Sequence, residues 1–169
     1  MPRNASSRLL RRPRLAGSRR RSGIEVVEMA MVLPILVMIT LGILEFGRAF
    51  EVTQWLTAAS REGARLGMLY NVVKESDRQQ GITSANQKVE LDIKNFLAAS
   101  GLDPTKLRVL IVEHDTNDPA RAVNLDDYAT ISEQYFKVRV EIDAEDALFF
   151  SPFFLRNGVL SGEIVVRHE

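Results

Sequence analysis

Cysteine is missing from the 169-residue chain, and histidine occurs only twice. Without cysteine, disulfides, thiolate metal sites and cysteine nucleophiles are excluded, and an oxidising compartment poses no thiol hazard. His114 and His168 each fall at the end of an expected strand, where an exposed position accounts for them. No GxSxG, P-loop, GxGxxG or HExxH pattern occurs, so the chain reads as a non-enzyme with no catalytic residue, cofactor or metal centre. Acidic residues are absent from one end. Residues 1–23 hold 8 of the 22 basic residues and none of the 22 acidic ones, leaving the remainder with 14 basic against 22 acidic groups, a net of −8. That body is too acidic for non-specific binding to nucleic acid, which needs a basic surface.

Charge of either sign is absent from residues 29–44, MAMVLPILVMITLGIL, sixteen residues in a row. As a helix at 1.5 Å per residue this is roughly 24 Å, close to a ~30 Å hydrocarbon core. Ile24, Val26, Val27 and Phe46 lengthen it and bring Glu25, Glu28 and Glu45 to the interface. The arginines before it, at 3, 8, 11, 12, 14 and 19–21, lie among Pro, Ser and Gly that cannot build a core, so residues 1–23 are expected to be disordered or on a surface. A basic cluster before an apolar run predicts a cytoplasmic N-terminus and a C-terminal part outside. A secretory signal peptide fits less well: the run is long, and charged ILEFGRAFE follows where a small-residue cleavage site belongs. Ser18-Arg19-Arg20 is an equally poor twin-arginine signal, because Arg21-Ser22-Gly23 follows it. Glu28, beside the apolar run, costs a few kcal/mol on insertion scales; it is either a functional carboxylate or a headgroup-layer residue. Pro34 inside the run predicts a kink of the spanning helix.

Arg21-Ser22-Gly23-Ile24-Glu25-Val26-Val27-Glu28-Met29 resembles a type IV prepilin processing site, with a basic leader, Gly23 and a glutamate at the fifth mature position. The segment that follows resembles the TadE-like family of the tight-adherence (Tad) pilus system. The matching pieces are Val27-Glu28, Val32-Leu33-Pro34, Leu41-Gly42-Ile43-Leu44-Glu45-Phe46-Gly47-Arg48, and Ala59-Ser60-Arg61-Glu62-Gly63-Ala64-Arg65. The resemblance covers residues 21–67, with residues 160–167 loosely similar to the family's last strand. It implies a pilin-like subunit or minor pseudopilin, cleaved between Gly23 and Ile24 by a membrane prepilin peptidase. It further implies Glu28 as an assembly residue, Pro34 as part of the motif, and Arg61, Glu62, Gly63 and Arg65 as a helix motif. Other pilin-like or Tad assembly proteins at the cytoplasmic membrane would be its partners. Glu25, at the second mature position, departs from the pattern.

Beyond the membrane the helix is expected to continue, making 24–70 one helix of roughly 70 Å. Ala49, Val52, Leu56, Ala59, Gly63, Leu66 and Tyr70 form a heptad-like seam. That seam packs on the chain's own globular part, or, at Ala59 and Gly63, admits a neighbouring subunit's helix. Glu45/Arg48 and Arg48/Glu51 have the spacing of favourable i,i+3 pairs. Residues 71–83, with Asn71, Lys74, Asp77 and Gly81, read as a loop. Thr83 or Ser84 caps a second helix to about Ser100 with Val89, Ile93, Phe96 and Leu97 on one face, ended by Gly101 and Pro104.

Three strands are expected. Residues 107–113 are apolar on both faces and read as central. Residues 135–142 alternate, with Phe136, Val138, Val140 and Ile142 on one side, and 160–167 alternate with Leu160, Gly162, Ile164 and Val166 inward. The fold class is α+β: a long N-terminal transmembrane helix running into a pilin-like domain with a second helix and a small antiparallel sheet. The domain division is 1–23 basic cytoplasmic leader, 24–47 transmembrane segment, and 48–169 extracytoplasmic TadE-like domain. The acidic loop 113–118 offers oxygens to calcium but lacks the EF-hand glycine and closing glutamate, so a solvated loop is the better reading. Phe149, Phe150, Phe153 and Phe154 surround Pro152 and read as a core plug between the second and third strands, or as an exposed patch touching a partner or the membrane. The function read from all this is a membrane-anchored pilus assembly protein or minor pseudopilin. The alternative is an uncleaved single-pass scaffold or binding module with an outer domain.

Overall fold

The computed structural model describes residues 19–69, 73–127, 135–148 and 153–167, with the backbone alone for 19–22. The fold is α+β. Its longest element, α1, runs Arg19–Gly67, so the helix begins before residue 24, inside the stretch expected to lack structure, and ends before residue 70. Internal packing divides the chain between Thr40 and Leu41. In the first unit, residues 23–40 are all exposed, and α1 contains a stretch long and apolar enough to cross a membrane. Pro34 lies within it. Its missing N–H withholds the bond that Ala30's carbonyl would otherwise receive.

In the second unit Ala49, Val52, Leu56 and Ala59 of α1 are buried. They pack in one core with Val89, Ile93 and Leu97 of α3 (Ala85–Ala99) and the inner face of the sheet. The seam thus serves the chain's own domain. Gly63 leaves no room for a neighbour's helix: a Cβ there would lie 2.4 Å from Ile93 Cδ1. Ser84 caps α3, accepting the Gln87 N–H, and Gly101 at φ +87° follows its end. Phe96 leaves the apolar face assigned to it and is 41% exposed. It sits three residues after Ile93 but one before Leu97, and the core takes the stripe through 89, 93 and 97.

A five-residue helix, α2 (Glu75–Gln79), interrupts the expected 71–83 loop. Asp77 holds it. Its carboxylate accepts the Lys74 N–H at 2.9 Å and pairs with Lys88 of α3 at 3.2 Å. Tyr70 and Asn71 lie outside the described residues.

The sheet has the order β1-β2-β3, antiparallel throughout: β1 Arg108–Glu113, β2 Tyr135–Asp143, β3 Val159–Arg167. The central strand is β2, not β1. β1 reads as central because its free edge is covered: Ala122 bridges Val112, and the Val123 N–H donates to the Ile111 carbonyl. An edge strand whose side chains are covered on both faces carries the apolar pattern of an interior one. Phe136, Val138, Val140 and Ile142 are buried as the alternation requires, and Gly162 faces inward from β3. The outer face of β2 is ionic, with Arg139 between Glu141 and Glu163, and Arg108 of β1 beside Asp143. A single helical turn, α4 (Ala144–Ala147), follows β2.

Candidate functional site

The expected site residues fall into two sets. Gly23, Ile24, Glu28 and Pro34 all lie on the exposed part of α1. Ile24 and Glu28 are one helical turn apart and share one face of α1. Beyond the helix's own backbone and its chain neighbours, no described atom lies within 4 Å of where a Cβ on Gly23 would stand. The bond after Gly23 is nonetheless within helix, so a protease that reads extended chain must first unwind this end, which glycine eases by about 1 kcal/mol relative to alanine.

The second set divides by face. Arg61 is exposed, and Glu62 pairs with Arg65, whose Nη2 lies 2.6 Å from its carboxylate. Gly63 turns inward to Ile93 and Val89. The 61–65 motif is therefore half surface charge and half core contact, and its residues do not converge on one point.

A third constellation was not expected. Glu45 turns away from Arg48, which pairs with Glu51 at 2.9 Å and lies 4.7 Å over the Trp55 ring. Instead the Glu45 carboxylate accepts three successive backbone N–H groups, from Phe153 at 3.1 Å, Phe154 at 3.0 Å and Leu155 at 2.6 Å. One turn earlier on the same face, Gly42 is buried beneath Phe154; a Cβ there would lie 3.3 Å from Phe154 Cε2. Phe46 stacks on Phe154 with centroids 6.1 Å apart, and Phe153 meets Phe154 edge-on at 5.0 Å. Gly42, Glu45 and Phe46 thus build a seat for the turn at 153–155. The turn is closed behind by Asn157 at φ 63° and by the Gly158 N–H donating to Leu155.

The core-plug reading fails for this pair: Phe153 is 71% and Phe154 46% exposed. Phe149 and Phe150 lie outside the described residues. The hint in the sequence was Glu45 itself, a carboxylate directly after an apolar run whose one expected partner, Arg48, could equally pair with Glu51.

The 113–118 loop spends its carboxylates on its own structure. Arg121 pairs with Glu113 and, at 3.4 Å, with Asp115, while Asp118 accepts the Ala120 N–H. His114 is exposed and packs on Tyr135 at 5.8 Å; His168 lies outside the described residues. Among the described residues no group of three or more carboxylates and histidines is placed to hold a metal ion.

Residues 23–65 match the model of the family described as TadE-like protein. The match opens at Gly23 and takes in Glu28, Pro34, the Gly42–Glu45–Phe46 seat and the 61–65 motif. No curated protein and no solved structure matches the chain.

Proposed function

From a chain whose residues 23–65 are TadE-like, we propose a membrane-anchored subunit of a Tad-type pilus or secretion apparatus, acting as a minor pilin-like assembly protein. The observation that carries this reading is the family match lying over a helix that is long and apolar enough to span a bilayer. Residues 1–23 form the cytoplasmic leader, 24–47 cross the membrane once, and 48–169 stand outside. The role is structural rather than catalytic.

In this reading a prepilin peptidase cuts between Gly23 and Ile24. The cut creates an α-amine on Ile24 with a free pKa of about 7.7–8.0, largely cationic at neutral pH. In a medium of low dielectric that cation and the Glu28 carboxylate relieve each other's desolvation, within one chain or between neighbouring subunits. Glu28 then aligns an incoming subunit and matters for assembly more than for folding.

Mass spectrometry of the chain from membranes should find a form that begins at Ile24, and Gly23→Leu should retain the precursor without blocking insertion. Glu28→Ala should insert and fold but fail to co-purify with pilus partners, with Glu25→Ala the milder control. An unshortened chain in cells with an active prepilin peptidase selects the uncleaved scaffold instead. Partner yields for Glu28→Ala equal to wild type reduce Glu28 to an interfacial residue.

A further inference from the structure

We propose that the turn at 153–155 is a second membrane contact: an interfacial anchor that Glu45 holds against α1 so that Phe153 and Phe154 enter the outer headgroup boundary of the bilayer. The inference rests on the reading of residues 24–47 as the spanning segment. Four observations place it there. First, the seat begins where the apolar run ends, since Gly42 lies in the run and Glu45 is the first charged residue after it. Second, the turn brings apolar surface to that level, with Phe46, Phe50, Phe153 and Phe154 all exposed. An exposed aromatic group continuous with a spanning helix suits the boundary where rings and headgroups mix.

Third, the turn satisfies Glu45. A carboxylate at the edge of the hydrocarbon loses water on one side, and three backbone N–H groups replace those lost hydrogen bonds. In return the carboxylate satisfies three amides that an irregular turn could not leave bare in a lipid boundary. Fourth, Arg156 is exposed directly after the turn, a cation within reach of lipid phosphates. Gly42 allows the close approach of Phe154, so the seat, the clamp and the anchor occupy one face of one helix.

The test uses the full chain in phosphatidylcholine vesicles, with Trp55→Phe removing the single tryptophan. Phe153→Trp in that background should fluoresce to the blue of a water-exposed indole. Lipids brominated near the glycerol end of the acyl chain should quench it more strongly than lipids brominated near the terminal methyl, and aqueous acrylamide should quench it weakly. Adding Glu45→Ala should release the turn, lose the bromolipid quenching and gain acrylamide quenching, while far-UV circular dichroism stays unchanged. Leu36→Trp is the control for the span and should be quenched by the deep bromines.

If the Leu36 probe is quenched but the Phe153 probe meets only acrylamide, the anchor is overturned and the span stands. If neither is quenched by bromolipid, the spanning reading falls and the anchor with it. A blue shift without bromolipid quenching that grows with protein-to-lipid ratio assigns the turn to a second copy of the chain and overturns the lipid assignment. Bromolipid quenching that survives Glu45→Ala overturns the clamp.

Discussion

At the scale of single residues, Gly162 meets the backbone of α1 more closely than any other described glycine meets its surroundings. A Cβ on Gly162 would lie 2.3 Å from the Thr57 nitrogen and 2.4 Å from the Leu56 carbonyl carbon. Backbone cannot step aside as a side chain tip can, so Gly162→Ala must push β3 off the helix; overpacking of this kind costs about 1–3 kcal/mol or more. Next to it the Ser60 hydroxyl, fully buried, lies 2.8 Å from both the Gly162 and Leu56 carbonyl oxygens. Ser60→Ala withdraws that donor, a loss of about 1–3 kcal/mol if a carbonyl is left bare. Urea unfolding in mild detergent should rank Gly162→Ala as the more damaging of the two, and near-wild-type stability of that variant would contradict the contact.

The alternation of β3 already placed Gly162 inward. Its partner 105 positions earlier was not legible, because a period of two names a face and not what covers it. Glu45 is the same lesson in the candidate site. Its i,i+3 neighbour Arg48 was visible in the sequence, whereas the three amides that won it are generic backbone from a distant turn.

At the scale of elements, the sequence spoke clearly where a side chain carries the information. Ser84 and Gly101 bracket α3, and the clean alternation of β2 is its burial. It misled where backbone does the work, as at the covered edge of β1, and at α2, which read as loop because its five residues are too few to express a helical period. What maintains α2 is electrostatic, and this gives it a pH dependence. Asp77's carboxyl lies below its ordinary value because it accepts the Lys74 N–H and a hydrogen bond from Lys88, which outweigh partial burial. A carboxyl depressed in the folded state stabilises fully above its unfolded pKa of about 3.9 and loses that contribution as pH falls through the lower folded value.

The amides of α2 should therefore be protected at neutral pH and lose protection, measured relative to the intrinsic exchange rate, on acidification through that window. Asp77→Asn should expose α2 at neutral pH and flatten the acid dependence. An acid dependence identical in wild type and Asp77→Asn would assign the effect to other carboxylates.

At the scale of the whole molecule, the proposed topology is a matter of counting cations on the two sides of residues 24–47. Seven arginines, Arg8 to Arg21, lie within about 15–20 residues of the inner end, the range over which loop charge sets orientation. Three, Arg48, Arg61 and Arg65, lie within the same range of the outer end, and acidic residues weigh little in this balance. The overall split of +8 against −8 therefore exaggerates the bias, which rests on seven against three. A reporter that works only outside the membrane, fused after Glu169, should be active on the wild-type chain. Changing Arg11, Arg12, Arg14, Arg19, Arg20 and Arg21 to Gln leaves one counted arginine inside against three outside, and should divide the population between orientations or invert it. Arg3→Gln should change nothing, since Arg3 lies beyond the counted range. Restoring balance by adding Arg48→Gln, Arg61→Gln and Arg65→Gln to the six-fold variant should recover the original orientation, at some cost to the domain that Arg48 helps pack. A reporter silent on the wild-type chain but active when fused at the N-terminus would invert the topology, placing the acidic domain in the cytoplasm.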